Sequence, residues 1–125
     1  MPLLKKSKSG RIVSIASRFA YKPFFDGMMG YSVAEAGTVM MSKVLALECA
    51  KYGIKVNTVC ASLTITPHTL EICTKEEIET ISKKNPSGRL GKPEDVANLV
   101  TFLCKNESDY ITGEDINVNG GILLI

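Results

Sequence analysis

The period of the apolar positions changes along the chain, and each change marks an element. Arg11-Ile-Val-Ser-Ile-Ala is a β-branched run that follows Ser9-Gly10, and it predicts a strand buried on both faces. Residues 18–30, rich in aromatics, Gly and Pro, predict a loop. From Tyr31 to Lys51 apolar residues recur at helical spacing in two stripes: Val33, Ala36, Met40, Val44 and Leu47 in one, Ala34, Met41 and Leu45 in the other. A helix apolar on two sides calls for two partners. Gly37 inside it costs about 1 kcal/mol against alanine, which predicts close packing against another backbone. Gly53 stops the helix, and Ile54-Lys-Val-Asn-Thr-Val-Cys alternates as a second strand.

Leu63 to Thr74 reads as loop, and the capping box Thr74-Lys-Glu-Glu77 opens a short helix through about Lys84. Pro93-Glu-Asp starts another helix, whose buried stripe is Val96, Leu99, Val100 and Leu103. Asp115-Ile-Asn-Val-Asn alternates as a last strand, closed by Gly120-Gly121. Strands alternating with helices predict an α/β fold with about three parallel strands, flanked by helices, in a single domain over residues 1–125.

Composition narrows the partners. A chain of 125 residues buries a core without disulfides or metal. A net charge of +2 with 22% charged residues describes an ordinary surface, and Lys5, Lys6 and Lys8 read as a solvated helix end, so no nucleic-acid partner is expected. The apolar runs are too short and too broken by charge to cross a membrane, and the basic N-terminus lacks a signal-peptide core, so the expected address is cytoplasmic. Cys49, Cys60, Cys73 and Cys104 have no Cys-x-x-Cys spacing and His68 stands alone, which leaves no expected metal site. The cysteines read as buried apolar residues or free thiols, and His68 as a loop residue without a catalytic part.

Several segments, in order, are similar to one family. Gly10-Arg-Ile-Val-Ser-Ile-Ala-Ser17, Tyr31-Ser-Val-Ala-Glu35-Ala-Gly37, Leu45 to Val59, Pro86-Ser-Gly-Arg-Leu-Gly-Lys-Pro-Glu-Asp-Val-Ala97 and Tyr110 to Gly121 together resemble the C-terminal half of short-chain dehydrogenase/reductases, in particular members acting on 3-oxoacyl-carrier-protein thioesters. The resemblance implies part of a Rossmann-like, doubly wound parallel sheet, hydride exchange between a nicotinamide cofactor and a carbonyl or alcohol, and a chain without the nucleotide-binding half. Which thioester or other substrate would be used is not written in these motifs.

By the same resemblance Tyr31 is the general acid or base at the reacting oxygen and Ser17 the serine that hydrogen-bonds it. The family's lysine four residues after the tyrosine is Glu35 here. An ammonium on the same helix face favours tyrosinate, whereas a carboxylate opposes it, so Tyr31 is expected to be a poor base at neutral pH. Ala61 and Ser62 replace the family's Pro-Gly, and with Thr64 and Thr66 they hold the positions that contact the nicotinamide end. No Gly-x-x-x-Gly-x-Gly or Gly-x-Gly-x-x-Gly turn is present to cradle a pyrophosphate. NAD or NADP is thus the cofactor implied by resemblance, and the chain alone is not expected to bind it. The expectation is an oxidoreductase by family, inactive as this chain. The alternative is a non-catalytic assembly subunit that pairs with itself, with a complementary half or with a full-length paralogue. Self-association is expected through the Tyr31 helix or the bare edge of the Arg11–Ala16 strand.

Overall fold

The computed structural model describes residues 1–7 and 9–124; Lys8 of the basic cluster lies outside the described residues. A short helix α1 (Pro2–Lys6) precedes strand β1 (Arg11–Ser17), which ends in a 3₁₀ turn at Arg18–Ala20. Helix α2 (Met29–Ala50) leads to β2 (Lys55–Ala61), then come α3 (Pro67–Ile72), α4 (Lys75–Lys84), α5 (Pro93–Leu103) and β3 (Asp115–Val118). The sheet has the order β1-β2-β3 with both pairings parallel. Ser17 pairs with Ala61, and Ala61 with Val118, so all three strands end at one level.

The strands form where β-branched residues meet burial. Val56 and Val59 are fully buried on the central strand, and Ala46 and Cys49 of α2 pack with Ile54 and Val56. A second cluster joins Val39 of α2 to Ala16 and Cys60 at the carboxyl ends of the strands. At about 25 cal/mol per Å² of apolar surface, these contacts drive the docking of α2 onto the sheet. The face of α5 carrying Val96, Leu99, Val100 and Leu103 turns inward as predicted, and Asp95 holds that helix's start by accepting from the Lys92 backbone N–H at 2.7 Å. The Thr74–Glu77 capping box is likewise formed, with Thr74 N–H donating to Glu77 at 2.8 Å.

Four expectations are corrected. Leu63–Thr74 is not all loop, because Pro67–Ile72 is a helix capped by the Thr66 hydroxyl. The first strand is not buried on both faces: it lies at the sheet edge, and Ile15 keeps 55% of its surface. Most of both predicted stripes of the long helix faces outward, with Val33 67%, Met40 60%, Met41 57% and Leu47 81% exposed, while Leu45 of the second stripe packs against the core. The buried face is the line Val39, Ser42, Ala46 and Cys49, which periodicity hides because Ser42 interrupts it; Ser42 donates to Ser14 Oγ at 2.9 Å. Finally, a Cβ on Gly37 would meet nothing within 4 Å, so no backbone packs against it.

The segment after β1 is pinned back onto the sheet. Tyr21 donates to the Asp115 carboxylate, which also pairs with Lys43 at 2.7 Å, and it lies 3.5 Å from Cys60 Sγ. Lys43, and after it Tyr21, hold the Asp115 carboxyl below its ordinary range, while burial pushes the Cys60 thiol up.

One glycine fixes the far side of the strand ends. Gly120 has φ +63°, and a Cβ there would lie 2.5 Å from both Asn85 Oδ1 and Ser87 Oγ, which hold the loop before α5 against the end of β3. Gly120→Ala is expected to destabilise the fold by about 2–4 kcal/mol through backbone strain and this collision. Urea denaturation checks it, and a loss below about 1 kcal/mol would mean that the loop simply moves aside.

Candidate functional site

Parallel strands place their carboxyl ends where a ligand can gather, and Ser17 is the last residue of β1. Its hydroxyl accepts the Phe19 backbone N–H at 3.3 Å, which caps the 3₁₀ turn and aims the following chain across the strand ends. Phe19, now largely buried, gathers Phe24, Phe25 and Tyr31 edge-to-face at ring distances of 5.3, 5.3 and 5.5 Å. That aromatic knot leads into α2, which starts at Met29, two residues before Tyr31, and brings the Tyr31 hydroxyl close enough to Ser17 for the serine to favour its ionised form.

Fourteen residues apart in sequence, Ser17 and Tyr31 line the same cleft of ≈ 540 Å³. Ser62, Thr64 and Thr66 line it from the β2 side, and His68, Ile72 and Ile81 from α3 and α4. Ala61 ends β2 beside Ser17 without reaching the cleft, and Glu35 touches Tyr31 without lining it. Burial is the largest cause raising the Tyr31 pKa above its ordinary value. Ser17 opposes the rise, the Glu35 carboxylate adds to it by charge and by accepting a hydrogen bond, and Arg18 draws it down. Tyr31 keeps 44% of its surface, so water screens part of these effects. Glu35 therefore acts with the sign read from the sequence, but desolvation acts more strongly.

The remaining predicted positions are committed to local structure. Thr66 accepts the Thr69 N–H at 3.2 Å, Thr69 donates to the Thr64 carbonyl at 2.6 Å, and Thr64 donates to the Ser62 carbonyl at 3.0 Å. Ser62 donates its N–H to the Val118 carbonyl, and its hydroxyl oxygen accepts from Arg18 Nη1 at 3.1 Å. Sequence reading missed Arg18 and the cleft face of α3. Thr66-Pro67, an N-cap residue followed by proline, was the available signal for the helix, and it puts His68 at the cleft wall rather than in a loop.

Three helix starts and the last glycine turn are closed to a dinucleotide. Its pyrophosphate needs free backbone N–H groups at a helix start with glycine in front. The starts of α3, α4 and α5 are closed by Thr66, Thr74 and Asp95, and the Gly120-Gly121 turn is filled by Asn85, Ser87 and Pro86. Among the described residues there is also no cluster able to hold a metal ion and no helix long and apolar enough to cross a membrane.

The family described as enoyl-(acyl carrier protein) reductase matches residues 1–123. A 3-oxoacyl-acyl-carrier-protein reductase FabG of Rickettsia bellii is 39% identical over 119 residues, which cover 95% of this chain and 48% of that protein. Dehydrogenase/reductase SDR family member 4 of Oryctolagus cuniculus is 38% identical over 122 residues, covering 97% of this chain and 46% of its own length. The solved structure of a short chain dehydrogenase family protein from Francisella tularensis superposes with a TM-score of 0.84 at 28% identity, over 94% of this chain and 52% of that one. The chain thus spans about half the length of the relatives it matches.

Proposed function

The chain belongs to the short-chain dehydrogenase/reductase family, and from that premise we propose that its cleft is a carbonyl-or-alcohol oxidoreduction site which these 125 residues do not operate alone. The observation that carries the proposal is the meeting of Ser17 and Tyr31, from different elements, over the carboxyl ends of parallel strands. In this reading Ser17 holds the reacting oxygen and Tyr31 gives or takes its proton. Glu35 and burial work against tyrosinate, and the residues that would hold the nucleotide lie outside the described cleft. A 3-oxoacyl or hydroxyacyl thioester is the substrate class suggested by the Rickettsia relative's name.

A non-catalytic assembly role is the second reading, and the exposed stripe Val33, Met40, Val44 and Leu47 on α2 favours it. An apolar row on a 22-residue helix is suited to bury itself against a second copy of this chain or against a full-length paralogue. Calorimetry of the isolated chain with NADH and NADPH tests the incomplete-site reading. We expect no saturable binding at micromolar nucleotide and no nucleotide consumption with acetoacetyl thioesters. Micromolar binding of either nucleotide would show that these residues form a nucleotide site of their own.

A further inference from the structure

The cleft contains a cation that the proposed chemistry does not require. Arg18 follows Ser17 directly, lines the same cleft and is only 7% exposed. Its guanidinium carbon lies 3.8 Å from the Phe24 ring centre and 5.6 Å from that of Phe19, and it donates to Ser62 Oγ at 3.1 Å. Among the described residues the other arginines, Arg11 and Arg89, each meet a carboxylate, at 2.9 and 2.7 Å, whereas Arg18 forms no ion pair. Ring faces attract a cation but leave its net charge in place. A guanidinium has five N–H donors in a planar fork, and one neutral hydroxyl uses a single one of them. Taking such a charge out of water is costly unless an anion compensates it, and burial indeed lowers the pKa of Arg18.

The walls say which anion. No Asp or Glu lines the cleft, so nothing there repels negative charge directly. Ser17, Tyr31 and Thr64 add hydroxyl groups to the lining, while Phe25, Ile72 and Ile81 supply apolar surface. We propose that this cleft binds an organic carboxylate with an apolar tail, its two oxygens forked on Arg18 and its chain laid along Phe25, Ile72 and Ile81. A carboxylate matches the guanidinium plane in a bidentate manner. The inference names a ligand class for the site proposed above and rests on that reading only for the place of Ser17 and Tyr31 beside the reacting group.

Octanoate, with 1-octanol as its uncharged counterpart, is the probe, titrated into the wild-type chain and followed by calorimetry and by amide and guanidinium NMR shifts. Octanoate should bind at least about tenfold more tightly than octanol, because a charge-assisted hydrogen bond in a partly dry site is stronger than one between neutral groups. Shifts should centre on Arg18, Ser62 and Tyr31. Arg18→Met, close in volume, should erase the preference for octanoate while octanol binding stays, and Arg18→Lys should keep only part of it. If Arg18→Met does not fold, the octanoate-to-octanol ratio and shift map of the wild type decide alone. Equal affinity for the two probes, an unchanged ratio in a folded Arg18→Met, or shifts confined to the exposed face of α2 would overturn the inference. None of these outcomes bears on nucleotide binding, which tests the oxidoreductase reading separately.

Discussion

Glu35→Lys is expected to let Tyr31 ionise at lower pH than in the wild-type chain, while carbonyl reduction stays undetectable. In the wild type, burial raises the Tyr31 pKa and Glu35 adds to the rise both by charge and by accepting a hydrogen bond. An ammonium one helical turn away reverses the sign of the charge effect and removes the acceptor. Ser17 and Arg18 already favour the ionised form, so the substitution works with them. Tyrosine ¹³Cζ NMR against pH reads the change, with Tyr31→Phe to assign the resonance among Tyr21, Tyr52 and Tyr110. Linkage follows the same sign: a folded-state pKa above the unfolded value gives stability that is present below the ordinary tyrosine range and lost as pH rises through the folded value. The variant should therefore lose less stability between pH 9 and 11.

Turnover is a different matter, since holding the reactants in place accounts for about 7–11 kcal/mol of a barrier and one side chain does not supply it. Nucleotide consumption by the variant should stay at the buffer rate. An unmoved Tyr31 resonance, or clear turnover by the single variant, would reject this account of the site.

The second large effect is expected at the outer face of α2. Val44 and Leu47 are 47% and 81% exposed on a row that also holds Val33 and Met40, and the edge strand leaves Ile15 uncovered as well. Sedimentation equilibrium at tens of micromolar should show the wild-type chain as a dimer, and Val44→Asp with Leu47→Asp should weaken it roughly hundredfold or more, given about 1.5–3 kcal/mol for each apolar side chain kept out of water. Because neither side chain belongs to the core, the double variant should keep the helical circular dichroism of the wild type. A compact wild-type monomer at those concentrations would remove the helix-pairing reading. Dimers that persist in the double variant would transfer the interface to β1.

Much of this protein was legible along the chain. A β-branched run marked β1 and alternating runs marked β2 and β3, Thr74–Glu77 and Pro93 marked the starts of α4 and α5, and the five motif segments marked the family, because each of these signals is local. Ser17, Tyr31 and Glu35 could be named from the resemblance of their segments to the family. Which side of α2 meets the sheet could not, since a small polar pair, Ser42 with Ser14, marks the buried line while bulkier apolar residues lie outside. Arg18 was equally silent in sequence: a single arginine in a loop reads as solvated, and only the turn capped by Ser17 and the packing of Phe19 and Phe24 bury it over the strand ends. Local pattern determined the elements and the chemical groups at hand. Long-range packing decided which faces went inside, and with them which charge stands in the cleft without an ion pair among the described residues.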